Sequence, residues 1–405
     1  MLVTAVVAFT VSNGIYPVLF NLYLLRLEYS VEFVGLANAI GLLSFGLVSL
    51  PSSALANRWG TRKAMVNGIA LITLCYALIP LVEFMPEPWR RPWILGNRVV
   101  ALAGLALFMV NAMPFLSGAT KVSGQNYAYS ARGMIDTLAG FFGSLIGGLL
   151  PGWLSPVFNV ATENPAAYRY ALLLGAFLCI PAVPVLLAIR KPYIPHKRTK
   201  RESTTINPAP VTLIAIMGLA VMLRTSGIGA VRTFFNVYLD DGLGIPTAQI
   251  GLLFGIVQLM AAPAAIIMPP LAKRWGNYRV IIAGTLGLAI SILPIALIPH
   301  WAAATLGRLG IYICGLISET ALNAFQMDLV VPRWRAAMAG TATMVVGLSW
   351  TALSLGGGYM ITALSYQALF LTAAVLTSAG SLCFWAYFRK PRGALAAPPQ
   401  RGQED

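Results

Sequence analysis

The stretch ANRWGTRKA, Ala56 to Ala64, returns 216 positions later as AKRWGNYRV, Ala272 to Val280, and both copies sit between long apolar runs. The repetition extends beyond those turns. FNLYL at Phe20 to Leu24 is echoed by FNVYL at Phe235 to Leu239, and Val34-Gly35-Leu36 by Ile250-Gly251-Leu252, at nearly the same offset. A fixed offset of half the chain marks two duplicated units, an arrangement in which solute sites form at the repeat interface.

The units are membrane bundles by composition. Hydrophobic residues make up 58% of the 405 and charged residues 10%, against about 25% charged in soluble domains. A bilayer needs about 20 apolar residues per crossing. Twelve such runs occur, near 2–25, 31–55, 64–85, 93–116, 131–155, 168–189, 211–239, 248–272, 280–299, 301–329, 336–363 and 367–388. The expected fold is an all-α integral membrane protein of twelve transmembrane helices in two pseudo-symmetric six-helix bundles, 1–189 and 211–389. They are joined by a basic cytoplasmic linker, 190–210, and followed by a disordered cytoplasmic tail, 390–405.

The net charge of +15 follows topology and does not point to nucleic acid. With both termini in the cytoplasm, twenty of the 28 Lys and Arg fall in inside loops and the tail, four (Arg26, Arg90, Arg91, Arg169) in outside loops and four within spans. That is the positive-inside asymmetry, and it suits a bacterial inner membrane. The linker, RKPYIPHKRTKRESTTINPAP, holds six basic residues, whose default neighbours are anionic headgroups. The first span lacks a basic leader and its FNLYL is repeated in the seventh, so it reads as a retained helix rather than a signal peptide. The four cysteines are scattered without metal-ligand spacing and read as packing residues.

With this architecture, the turn after span two resembles the G-x-x-x-D-R-x-G-R-R signature of the major facilitator superfamily. Arg58, Gly60 and Arg62 fit that signature, whereas Asn57 stands at the acidic position and Ser53 at the first glycine. The resemblance covers the chain to about Arg389. It implies the facilitator fold and a gating role for the loop Asn57, Arg58, Gly60 and Arg62, with the loop's acidic partner left unassigned. The cations also suffice as topological anchors. A fifth span rich in glycine (Gly140, Gly143, Gly147, Gly148, Gly152) partly resembles that of drug–proton antiporters, and small residues equally serve close helix packing.

Six charges stand inside spans: Arg98, Asp136, Arg224, Arg232, Arg308 and Glu319. Each costs about 2.5 kcal/mol or more at mid-bilayer, so such residues face a partner or a wet cavity. At ~1.5 Å per residue, Arg224 lies near the midplane and Arg98, Arg232 and Arg308 roughly 10 Å outward. By the same rise, Asp136 and Glu319 lie about 11 and 7 Å toward the cytoplasm. Arg98 and Arg308 occupy matching places in spans four and ten. The outward arginines are candidates to receive an anionic group, with Arg224 at the cavity floor, although long side chains at that depth also snorkel to headgroups. Glu319 is the first candidate proton-coupling residue, with Arg224 as its expected partner, and Asp136 is the second. Further candidates for substrate binding are Asn21, Asn236, Tyr16, Asn111, Asn323 and Gln326. Asn38 and Gln258 also fall in lining spans, and each such amide serves equally as an interhelical hydrogen bond.

The expected activity is secondary transport of a small organic solute by alternating access, coupled to protons. Apolar and aromatic lining favours efflux of an amphipathic compound, and the arginine excess favours an organic anion. A non-transporting receptor or scaffold on the same fold is the alternative of another class. No G-x-x-x-x-G-K-[ST] loop and no HExxH or GxSxG motif occurs in the sequence, so neither ATP hydrolysis nor intramembrane enzymology is expected, and no cofactor or metal. The expected partners are the substrate, protons and the lipid bilayer, with the monomer as functional unit.

Overall fold

The computed structural model describes residues 14–119, 125–188, 211–261, 263–331 and 334–390. The predicted linker, the tail beyond 390 and the start of span one lie outside these residues. The described chain is helical: α1 Tyr16–Arg26, α2 Val31–Trp59, α3 Thr61–Leu78, α4 Glu87–Ala119, α5 Gln125–Val157, α6 Pro165–Cys179, α7 Ala182–Ala188, α8 Val211–Val237, α9 Thr247–Ala261, α10 Ala264–Trp275, α11 Asn277–Leu297, α12 Trp301–Leu329, α13 Arg335–Ala363 and α14 Tyr366–Phe388. Among the described residues, ten helical segments are long and apolar enough to cross a membrane. The described part of span one, α1, is too short to cross alone.

Two expected continuous spans are broken. Span eight divides into α9 and α10, with Pro263 capping α10, and span six into α6 and α7, with Pro181 in the gap. Proline lacks the amide that would bond back to the preceding turn and clashes with its carbonyl, so the helix stops and restarts. An apolar run does not register that break. With α6 and α7, and α9 and α10, each counted as one, the described residues hold twelve helical segments, as the twelve apolar runs predict.

The duplicated turns have the same geometry. Gly60 ends α2 and opens α3 at φ 90°, and Gly276 ends α10 and opens α11 at φ 78°. In each, the glycine amide donates to the carbonyl four residues back (Ala56, 2.8 Å; Ala272, 2.9 Å) and its carbonyl accepts from four residues on (Ala64, 3.1 Å; Val280, 3.2 Å). A side chain at that φ would be strained, which is why the turn repeats with its glycine while Asn57 and Lys273 differ.

The end of the bundle remote from these turns is clasped. Arg26, at the end of α1, makes a two-pronged ion pair with Asp240 just beyond α8, at 2.7 and 2.8 Å. Tyr168 of α6 and Thr247 of α9 share a hydrogen bond of 2.6 Å. Helices α5 and α9 touch backbone to backbone, so that a Cβ on Gly148 would lie 2.7 Å from the Cα of Gly251. One apolar core joins the halves at this end, with α1 fully packed in it and Phe235 and Ile250 contributed by the second half. At the turn end the described residues hold no ion pair between halves.

Candidate functional site

A cavity of about 370 Å³ lies between the halves, within the size range of small-molecule sites. Its walls come from α1, α2, α3, α4, α5, α8, α9 and α12, and it extends toward the turn end as far as Asp136, Thr137 and Ala261.

Its roof is a polar bridge on the pseudo-symmetry axis. The Asn21 amide donates to the Thr233 carbonyl (2.7 Å) and to Asn236 Oδ1 (3.0 Å), and Asn236 donates back to the carbonyls of Pro17 (3.0 Å) and Val18 (3.2 Å). Asn38 donates to Asn21 Oδ1 at 2.8 Å, and Arg98 Nη2 donates to Asn38 Oδ1 at 2.9 Å. Both amide protons of Asn21 and of Asn236 are therefore engaged within the protein. In this arrangement the pair ties α1 to α8.

Below the roof stand three guanidinium groups, those of Arg98, Arg232 and Arg308. The Arg98 group lies 4.3 Å from the ring centre of Phe20, and that of Arg308 lies 4.4 Å from Phe235 and 3.3 Å from Phe254. Phe20 and Phe235 are themselves repeat-related, so each matching arginine is backed by the matching ring. Arg232 lies over Trp350 at 4.9 Å and lines the same cavity as Arg98 and Arg308. A ring face stabilises a cation by about 0.5–2 kcal/mol without satisfying its N–H groups. Arg308, 4% exposed, has Nε and Nη1 without a hydrogen-bond partner, as has Nε of Arg98. Tyr16 stacks on Tyr76 at 3.5 Å, and its buried hydroxyl also lacks a partner. The one carboxylate of the described lining, Asp136, is paired through Oδ2 with Arg132 Nε at 3.3 Å, one turn earlier on α5, while its Oδ1 is buried without a partner. Among the described residues, the cavity therefore carries three cations, and its one carboxylate is paired with a fourth, Arg132.

Arg224 is not at the floor of this cavity. It lies with Glu319, Asn323, Gln326 and Trp350 in a second space of about 320 Å³ between α8, α12 and α13. Arg224 Nη1 donates to Ser318 Oγ at 2.9 Å, and no ion pair joins it to Glu319 among the described residues. Ser318 intercepts the cation because it precedes Glu319 on α12 and faces the buried side, while Glu319 is exposed. Asn111 lines neither space: its amide donates to Ser52 Oγ (3.0 Å) and the Leu107 carbonyl (2.8 Å), joining α4 to α2. In the turn, Arg58 is exposed and Arg62 Nη1 donates to the Leu187 carbonyl at 3.0 Å. The Asn57 side chain lies outside the described residues.

Sequence reasoning missed the aromatic backing of the arginines, the Arg132 partner of Asp136 and the Arg26–Asp240 clasp. The first was signalled by the repeated Phe-Asn pairs and the second by the i, i+4 spacing on one helix. The third pairs two different spans and has no sequence signal.

The sequence pattern of the Major Facilitator Superfamily matches residues 1–351 and 214–404. The chain belongs to the major facilitator superfamily. Curated relatives include a multidrug resistance protein MdtH of Yersinia pestis, 24% identical over 82% of this chain and 79% of that protein. Another, in Lactococcus lactis, is described as a multi-drug resistance efflux pump PmrA homolog; it is 24% identical over 65% of this chain and 62% of its own length, just under two thirds. Among solved structures, a D-xylose-proton symporter superposes with a TM-score of 0.74 at 14% identity, covering 95% of this chain and 96% of that one. The nucleoside transporter NupG superposes with a TM-score of 0.70 at 14% identity, covering 96% of this chain and 98% of that one. This facilitator is thus an integral multi-pass membrane protein and a secondary transporter of a small molecule.

Proposed function

We propose that the protein exports an organic anion with an apolar or aromatic body, driven by protons and working by alternating access as a monomer. The observation that carries this reading is the convergence of Arg98, Arg232 and Arg308 on one cavity whose only described carboxylate is already held by Arg132. A buried cation without an acceptor is costly. An anionic head supplies acceptors for the unpartnered N–H groups, and the rings of Phe20, Phe235 and Phe254 suit an apolar body. Neutral and cationic solutes would leave the guanidinium groups unmatched.

Export is favoured by the names of the two curated relatives, both drug-resistance transporters. With the termini and turns in the cytoplasm of a bacterial inner membrane, the clasp closes the outside and the cavity faces inward, ready to load from the cell. Glu319 is assigned proton exchange. It lies in the second space, whose lining includes Trp350, the residue over which Arg232 lies. A thermal-stabilisation screen on purified protein tests the charge class, with 2-naphthoate, 2-naphthamide and naphthylmethylammonium as matched probes. Stabilisation by the anion alone is expected, and stabilisation by the cation alone would overturn the reading.

A further inference from the structure

The two repeat-related arginines belong to different halves, Arg98 to α4 and Arg308 to α12, and Arg232 of α8 lines the same cavity. Each is backed by its own phenyl ring, and each retains at least one buried N–H without a partner. Alternating access requires the two halves to close around the load, which withdraws both guanidinium groups from water together. A single negative charge would leave one of them unmatched at closure, and an uncompensated charge in a water-poor interior is strongly unfavourable. Two negative charges would match one arginine on each half, whereas Arg232 is exposed and lies over the Trp350 ring, so its charge stays with water.

Resting on the anion reading above, we propose that the substrate is an organic dianion, a dicarboxylate or a phosphate monoester, whose two charges are taken up by Arg98 and Arg308. Such a load also acts as a clamp, because its two contacts lie on opposite halves. A doubly charged ligand is therefore both better bound and better able to bring the halves together than a singly charged one on the same ring.

The test measures dissociation constants on the purified full-length chain for isophthalate, phenyl phosphate, benzoate and benzamide, at a pH where the acids are fully ionised. Isophthalate or phenyl phosphate is expected to bind at least about tenfold more tightly than benzoate, the gain of one further charge-assisted contact. Preference for isophthalate marks two separated charges and preference for phenyl phosphate a single doubly charged head; either supports the proposal. In Arg98→Gln and in Arg308→Gln the preference should fall to about twofold, while benzoate binding changes less. Arg98→Lys and Arg308→Lys keep the charge and should keep most of the preference, which separates loss of recognition from loss of folding. Equal binding of benzoate and both dianions, with benzamide excluded, would overturn the dianion and leave the anion reading standing. Benzamide binding as well as benzoate would overturn both. A tenfold preference that survives in both Gln variants would also overturn the assignment of the two arginines.

Discussion

Replacing Asp240 by Asn should release the clasped end. The carboxylate takes two short hydrogen bonds from Arg26, 2.8 and 2.7 Å, with Asp240 8% exposed and Arg26 23%. A hydrogen bond to a charged group contributes about 1.5–3 kcal/mol, and partial exposure reduces that because water screens the pair. A net loss of about 1–2 kcal/mol is reasonable, since the amide keeps one acceptor but loses the charge. When the clasp is open both groups are hydrated, so nearly the whole loss bears on the equilibrium between the two states. That shifts the clasped-to-open ratio by roughly 5- to 30-fold. The assay is a spin-label distance distribution between Glu163 and Gln249, exposed positions on opposite halves at this end. The long-distance population should grow in Asp240→Asn and in Arg26→Gln, and the charge-swapped double variant Arg26→Asp with Asp240→Arg should restore the short one. Unchanged distributions in both single variants would refute the reasoning.

Three further outcomes are expected. Gly148→Val should force α5 and α9 apart, because its Cβ would meet the Gly251 Cα at 2.7 Å and the Thr247 carbonyl at 2.9 Å; a stability loss of about 1–3 kcal/mol should appear in thermal unfolding, together with a larger open population. Glu319→Gln should abolish accumulation driven by a pH gradient while sparing substrate counterflow in proteoliposomes, since the amide keeps shape but cannot release a proton. Wild-type accumulation would move the proton site, with Asp136 next. Arg58→Ala should slow turnover more than it weakens binding, because Arg58 is exposed at the turn and remote from the cavity; equal losses of both, measured by flux and titration, would remove Arg58 from gating.

The fold was legible because the duplicated turns and long apolar runs are local. Gly60 and Gly276 must be glycine for their φ, and that requirement survives where Asn57 and Lys273 diverge. Helix breaks at Pro181 and Pro263 were legible in principle and were masked by continuous apolar character. The site was legible in part. Intramembrane charge singled out the arginines, since a lone cation in lipid needs a reason. What they touch depends on which faces of α1, α4, α8, α9 and α12 meet, and one-dimensional depth does not carry that. Arg224 and Glu319 show the limit. Depth placed them together, but rotation about α12 gives Arg224 the Ser318 hydroxyl and turns Glu319 outward. Asn21 and Asn236 show it again. Their repeat relation was plain, yet the structure engages their amides with each other and with α1.

Counterflow of radiolabelled 2-naphthoate in proteoliposomes measures whether an anion crosses the membrane through the Arg98–Arg232–Arg308 cavity. Wild-type protein should show saturable exchange that an unlabelled anion suppresses and a matched cation does not, and the double variant Arg98→Gln with Arg308→Gln should lose it at normal expression and folding. Exchange of naphthylmethylammonium in place of the anion, or anion exchange undiminished in the double variant, would contradict the account.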